Sequence, residues 1–130
     1  MPTNLERMLA LVEEVFAVRD DPDQLRVDEE VIARLQRMHL ATVGERDDGD
    51  GPVAWLLLLP TTTALMEAFV RGELTEQALY EHTPERGPYQ TLYLCSALVL
   101  PEYRRQGITA TLMRDALGRI RQDHPISALF

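Results

Sequence analysis

The chain has no lysine; all thirteen of its basic residues are arginine. That excludes any chemistry built on a lysine Schiff base, on a pyridoxal-phosphate lysine or on a P-loop lysine. Cys95 is the only cysteine, so no internal disulfide can form. The longest apolar run, around Trp55 to Leu59, is far too short to span a bilayer. No basic segment followed by an apolar stretch stands at the N-terminus, so no secretory signal is read there. These absences lead to the expectation of a cytoplasmic protein with no membrane partner. Positive charge is also scarce: 21 acids outnumber 13 arginines, a net charge of −8. General nucleic-acid binding needs a basic footprint, and such a balance argues against it.

What is present suits a globular chain. An apolar fraction of 45% and a charged fraction of 26% over 130 residues support one domain, 1–130, with a core of its own. The charge is unevenly spread. Residues 1–50 carry thirteen acids and six arginines, whereas residues 101–130 carry three acids and five arginines. The chain is therefore locally basic near its end, although arginines on the wet face of an amphipathic helix would explain Arg114, Arg119 and Arg121.

The most informative stretch runs from Thr91 to Gln122. Thr91 to Leu100 is a nearly unbroken apolar run rich in β-formers, as expected of a strand covered on both faces. Pro101 ends it, because proline cannot donate to a sheet ladder. Glu102 to Gly107 forms a turn with two arginines. From Ile108 the spacing becomes helical, with Ile108, Leu112, Ala116 and Ile120 on one face. Gly107 opens that helix and permits close approach of a ligand to the backbone. Free N–H groups at a helix start, beside two arginines, make an anion site.

These residues resemble the acetyl-CoA-binding segment of the GNAT N-acetyltransferase superfamily. Its pattern, Gln/Arg-x-x-Gly-x-Gly/Ala, is met at Arg104 and Gly107; Thr109 departs from it, since a residue with little or no side chain is preferred there. The close match covers about a quarter of the chain, and order and spacing extend it loosely over the rest. The resemblance implies an α/β (α+β) fold with a mixed, mostly antiparallel sheet flanked by helices, shortened at the C-terminus. It implies acetyl-CoA as the cofactor and an amine as acceptor. It also implies that the backbone of Ala97, Leu98 and Val99 faces the pantetheine arm. Arg105, Gln106, Gly107, Ile108, Thr109 and Ala110 would surround the pyrophosphate, with Arg104 or Arg105 adding a charge-assisted contact.

The rest of the chain can be read in order. Thr3 and Glu6 have capping-box spacing, and a helix is expected from about Asn4 to Val18, with Leu5, Met8, Leu9, Val12, Val15 and Phe16 as its stripe. Asp20-Asp21-Pro22-Asp23 breaks it. A second helix starts at Asp28, with Val31, Ile32, Leu35 and Met38 facing the core. His39 to Val43 reads as a strand, Gly44 to Pro52 as a turn and Val53 to Leu59 as the returning strand. The acids of that turn lack the alternation and the twelfth-position glutamate of an EF-hand, so a hairpin turn is the reading. Thr61 to His82 is a helical insertion: one short helix closed by Gly72 and a second capped by Thr75. It either shapes an acceptor pocket or a subunit contact, or covers a sheet edge. After Asp123-His124-Pro125, Ile126 to Phe130 begins a strand parallel to the central one. Such an apolar strand with nothing after it would leave an unpaired edge, and a homodimer is the favoured way to cover it.

No catalytic residue can be assigned from the sequence. GNAT enzymes often draw a tyrosine acid from a later helix, and the sequence stops before that helix. Tyr93 and Ser96 lie on the central strand and read as packing residues. Cys95, in an apolar strand, reads as inert packing with a raised pKa. His39, His82 and His124 show no ligand spacing, so no metal site is expected. Three functional readings remain: acetyl transfer to an unidentified amine, a non-catalytic CoA-binding regulatory domain that kept the cleft, or a structural subunit whose sheet a partner completes.

Overall fold

The computed structural model describes residues 2–18 and 24–130. Among them are five α-helices and a four-stranded, mostly antiparallel sheet. The break expected at Asp20-Asp21-Pro22-Asp23 lies outside the described residues, as does the side chain of Phe16. Helix α1 spans Asn4–Val18. Its capping box is closed in both directions: the Glu6 N–H donates to Thr3 Oγ1 at 3.1 Å and the Thr3 N–H to Glu6 Oε2 at 2.9 Å. Helix α2 spans Glu29–Met38, and the Asp28 carboxylate accepts from the Val31 N–H as its N-cap. The strands are β1, Val43–Asp47, and β2, Pro52–Thr61. Two short helices follow, α3 over Thr63–Val70 and α4 over Glu76–His82, capped by Thr62 and Thr75. Strand β3 is Thr91–Val99, α5 is Ile108–Arg121 and β4 is Ala128–Leu129.

The sheet order is β1-β2-β3-β4, with antiparallel pairs except for the parallel β3–β4 pair. Helix α1 packs over β2 and β3, and α5 over β1, β2 and β3. The strand pleat divides β2 between them. Val53 and Trp55 join Met8, Leu11, Leu98 and Leu100 in a smaller cluster on the α1 side. Leu56 turns the other way, into the main core with Ala116 and Ile120 of α5. Val31, Leu35 and Met38 of α2 are buried in that same core.

Several expectations require correction. His39 to Thr42 is not strand: Leu40–Thr42 is a 3₁₀ turn. The His39 ring accepts from the Ala41 N–H and the Thr42 hydroxyl bonds the His39 carbonyl, so local side chains replace a ladder. The strand starts at Val43 instead and takes in Gly44 to Asp47, which pair with β2 at the edge of the sheet. The turn proper is short. There Asp47 and Asp48 spend their carboxylates on the N–H groups of Gly49, Asp50 and Gly51. Leu5 and Leu9, expected in the α1 stripe, are about half exposed at 48% and 51%, since the helix turns Met8 to the sheet instead. Trp55 is half-buried at the edge of the smaller cluster, and its indole N–H donates to Glu45 Oε1 at 2.8 Å. The strand expected over Ile126 to Phe130 contracts to Ala128–Leu129. The Phe130 ring packs on Phe69 of α3, so the helical insertion covers part of that end.

The consequential correction concerns β3. Only its first two residues are buried, and Leu94 is 39% exposed. Among the described residues, β4 pairs with Thr91 and Leu92 alone, so the later part of β3 has a strand neighbour there on one side only. The strand expected to be covered on both faces is so covered only at Thr91 and Leu92; beyond them its residues are half-buried or exposed.

Candidate functional site

The site begins where β3 ends. The Leu100 N–H donates inward to Val53 O at 2.9 Å, and Pro101–Tyr103 makes a 3₁₀ turn. Arg105 and Gly107 then adopt left-handed conformations, φ +64° and +75°. Arginine meets a steric penalty there that glycine escapes. The first backbone bond of α5 runs from the Thr111 N–H to Gly107 O at 3.0 Å. The N–H groups of Ile108, Thr109 and Ala110 precede it, and no side chain caps them. They bound a shallow pocket of about 190 Å³ shared with Val99, Tyr103, Arg104, Arg105 and Gly107. A helix start of this kind carries a partial positive charge, and Arg104 and Arg105 add two formal ones. Thr109 lines the pocket and is half-buried. Gln106 does not line it; its amide donates to the Glu102 carbonyl at 3.2 Å.

A larger cleft of about 570 Å³ continues from this turn along the open edge of β3. Arg104 and Val99 line one end, Tyr93 and Glu76 the other, with Cys95, Ser96, Ala97 and Leu98 between. Val99 O points outward and accepts from Arg104 Nε at 3.0 Å. Backbone groups alternate along a strand, so those of Ala97 face the same open side. The sheet opens just beyond Leu94, whose N–H donates to Phe130 O at 2.9 Å. A β-bulge lies at this point. Leu57 opposes Ser96 and Leu58 opposes Leu94, leaving Cys95 as the extra residue.

The sequence model of the acetyltransferase (GNAT) family matches residues 12–129. The chain belongs to that family. No curated protein matches it. Membership of the GNAT family points to acyltransfer, and the family generally uses acetyl-CoA.

In this GNAT fold the turn between β3 and α5 is held from two directions. The Arg7 guanidinium grips both oxygens of the Glu102 carboxylate, at 2.6 and 2.7 Å. The Tyr103 hydroxyl donates to Asp48, which also accepts from the Asn4 side-chain amide at 3.1 Å. Helix α1 and the β1–β2 turn thus clasp the turn that opens α5. The hydrogen bond from Tyr103 holds the Asp48 carboxyl below its usual range, and that from Arg7 does the same for Glu102. A carboxyl that titrates lower when folded stabilises above its ordinary pKa, and the effect is lost as pH falls through the folded value. Hydrogen-exchange protection of amides 102–107 is therefore expected to fall selectively below the ordinary carboxylate range, while the interior of α5 keeps its own. Equal loss in both would show that the clasp does not hold the turn.

The remaining candidates sort themselves by position. Cys95 is half-buried in the cleft wall, and burial, then the Glu76 charge, pushes its thiol up, so it stays protonated. Tyr93 is not mere packing: its hydroxyl donates to Glu76. Glu76 drew no attention in the sequence, where it reads only as the first residue after a Thr75 cap. His39 and His124 are not scattered. Their rings lie 6.0 Å apart, and His39 Nε2 meets Asp123 at 2.6 Å. His39 and Asp123 line a separate hollow between the C-terminal ends of α2 and α5. With Nδ1 accepting from Ala41 and Nε2 on Asp123, His39 ties two segments together.

Proposed function

We propose that the protein transfers an acetyl group from acetyl-CoA to an amine. The observation that carries this reading is the continuity between the uncapped start of α5 and the open edge of β3. Pyrophosphate oxygens accept from the N–H groups of Ile108, Thr109 and Ala110, beside Arg104 and Arg105. The amide-bearing pantetheine arm pairs with the outward backbone groups of Ala97 and Val99, as an added strand does. Its thioester then lies towards Tyr93, at the far end of the cleft. Leu98 supplies apolar wall on the α1 side.

Calorimetric titration with acetyl-CoA and with desulfo-CoA tests the reading. Both are expected to bind, with Kd between about 1 μM and about 1 mM, as for ordinary enzyme substrates. Turnover over a panel of amines is expected to rise towards alkaline pH, because more of the acceptor is neutral. Binding without turnover would favour a CoA-binding regulatory domain. No heat with either ligand would remove the cofactor site.

A further inference from the structure

The cleft closes, at the end away from α5, on two side chains from distant parts of the chain. The Tyr93 hydroxyl donates to Glu76 Oε2, and Glu76 Oε1 accepts from the Leu25 N–H at 2.7 Å. Both residues are half-buried and line the cleft beside Cys95 and Ser96. The Tyr93 ring is fixed between Phe69, at 5.2 Å, and Phe130, at 5.1 Å. From Val99 back to Tyr93 the strand covers about 20 Å, at about 3.3 Å per residue. An extended arm anchored at the phosphate turn therefore delivers its reactive end towards this pair. Among the described residues that line the cleft, Cys95 on β3 is the titratable neighbour of the pair, and Arg104 lies at the opposite end.

We propose that Tyr93 and Glu76 handle the proton of the acyl transfer, Tyr93 at the reacting atoms and Glu76 as a positioning residue acting through Tyr93. This rests on the acetyl-CoA reading of the cleft. The amine nitrogen attacks the thioester carbonyl carbon, so an N–C bond forms and the C–S bond breaks. The nitrogen sheds one proton to the Tyr93 oxygen as the phenolic proton passes to Glu76. The phenol then protonates the departing sulfur and recovers its proton from Glu76. One amine and one thioester become one amide and one thiol, and the pair is restored.

Two substitutions test this with little disturbance. Tyr93→Phe keeps the ring against Phe69 and Phe130, and Glu76→Gln keeps an oxygen for the Leu25 N–H. Acetyl-CoA binding is read by calorimetry and acetyl transfer by thiol release, with hydroxylamine, spermidine and an aminoglycoside as acceptors. Both variants are expected to bind acetyl-CoA within about twofold of wild type. The kcat of Tyr93→Phe is expected to fall about 100-fold, with KM for acetyl-CoA unchanged. Glu76→Gln should lose about tenfold in kcat, again with KM for acetyl-CoA unchanged. Wild-type kcat in both variants would overturn the proposal. So would a wild-type protein that binds acetyl-CoA yet acetylates none of the three acceptors. Failure of the wild type to bind acetyl-CoA would instead overturn the reading of the cleft, and the pair with it.

Discussion

Gly107→Val is expected to weaken acetyl-CoA binding by at least about tenfold while leaving the chain folded. Gly107 sits at φ +75°, where a side chain costs about 1–2 kcal/mol, and about 1.4 kcal/mol is a factor of ten in affinity. A Cβ there meets no protein atom within 4 Å, so the fold itself has room for it. The strain is relieved by rotating the peptide, and that swings the first N–H groups of α5 away from the anion they face. The new side chain also stands over the pocket that those groups bound. Gly72 provides the control. It has φ +79° and equally open space, but it follows α3 and lines no part of the cleft. Gly72→Val should show a similar loss of stability in urea titration and unchanged affinity in calorimetry. A folded Gly107→Val that binds acetyl-CoA as tightly as wild type would remove the site from the start of α5.

The second large effect concerns stability. Leu92→Ala is expected to cost about 2–5 kcal/mol, read as a lower urea midpoint. Leu92 is fully buried, lies between Pro60 of β2 and Leu129 of β4, and belongs to the main core. Leu94, two residues on, is 39% exposed at the mouth of the sheet opening. Leu94→Ala should cost less than about 1 kcal/mol, since little area leaves water there in the first place. Comparable losses at the two positions would mean that β3 is covered along its whole length. The contrast therefore reports on the open edge without any ligand.

Why that edge escaped sequence reading is a matter of pairing. An apolar run such as Thr91 to Leu100 carries no alternation, so its pattern cannot say where one neighbour stops. Among the described residues β4 pairs through Ala128 and Leu129, and the stretch after Leu94 has no second strand neighbour there. The bulge at Cys95 is invisible for the same reason: an extra residue shows only against a partner strand, here at Leu57 and Leu58. The 3₁₀ turn over Leu40–Thr42 was missed differently, because His39 and Thr42 bond their own backbone and displace the strand that their neighbours suggest.

Elements whose causes are local can be read from the order of residues alone. The Thr3–Glu6 box, the Asp28 and Thr75 caps, the stop at Pro101 and the apolar face of α5 each depend on residues within a turn or two of one another. So does the anion-ready start of α5, because Gly107 and the uncapped N–H groups are contiguous. Only the tertiary structure decided what surrounds that start. Arg7 reaches Glu102 across 95 positions, Tyr103 reaches Asp48 across 55, and Tyr93 finds Glu76 across 17. Helical and strand periodicities fix which way a side chain leaves its own element. They hold no information on which other element lies opposite, and that is set by how the helices and the short β4 close around the sheet.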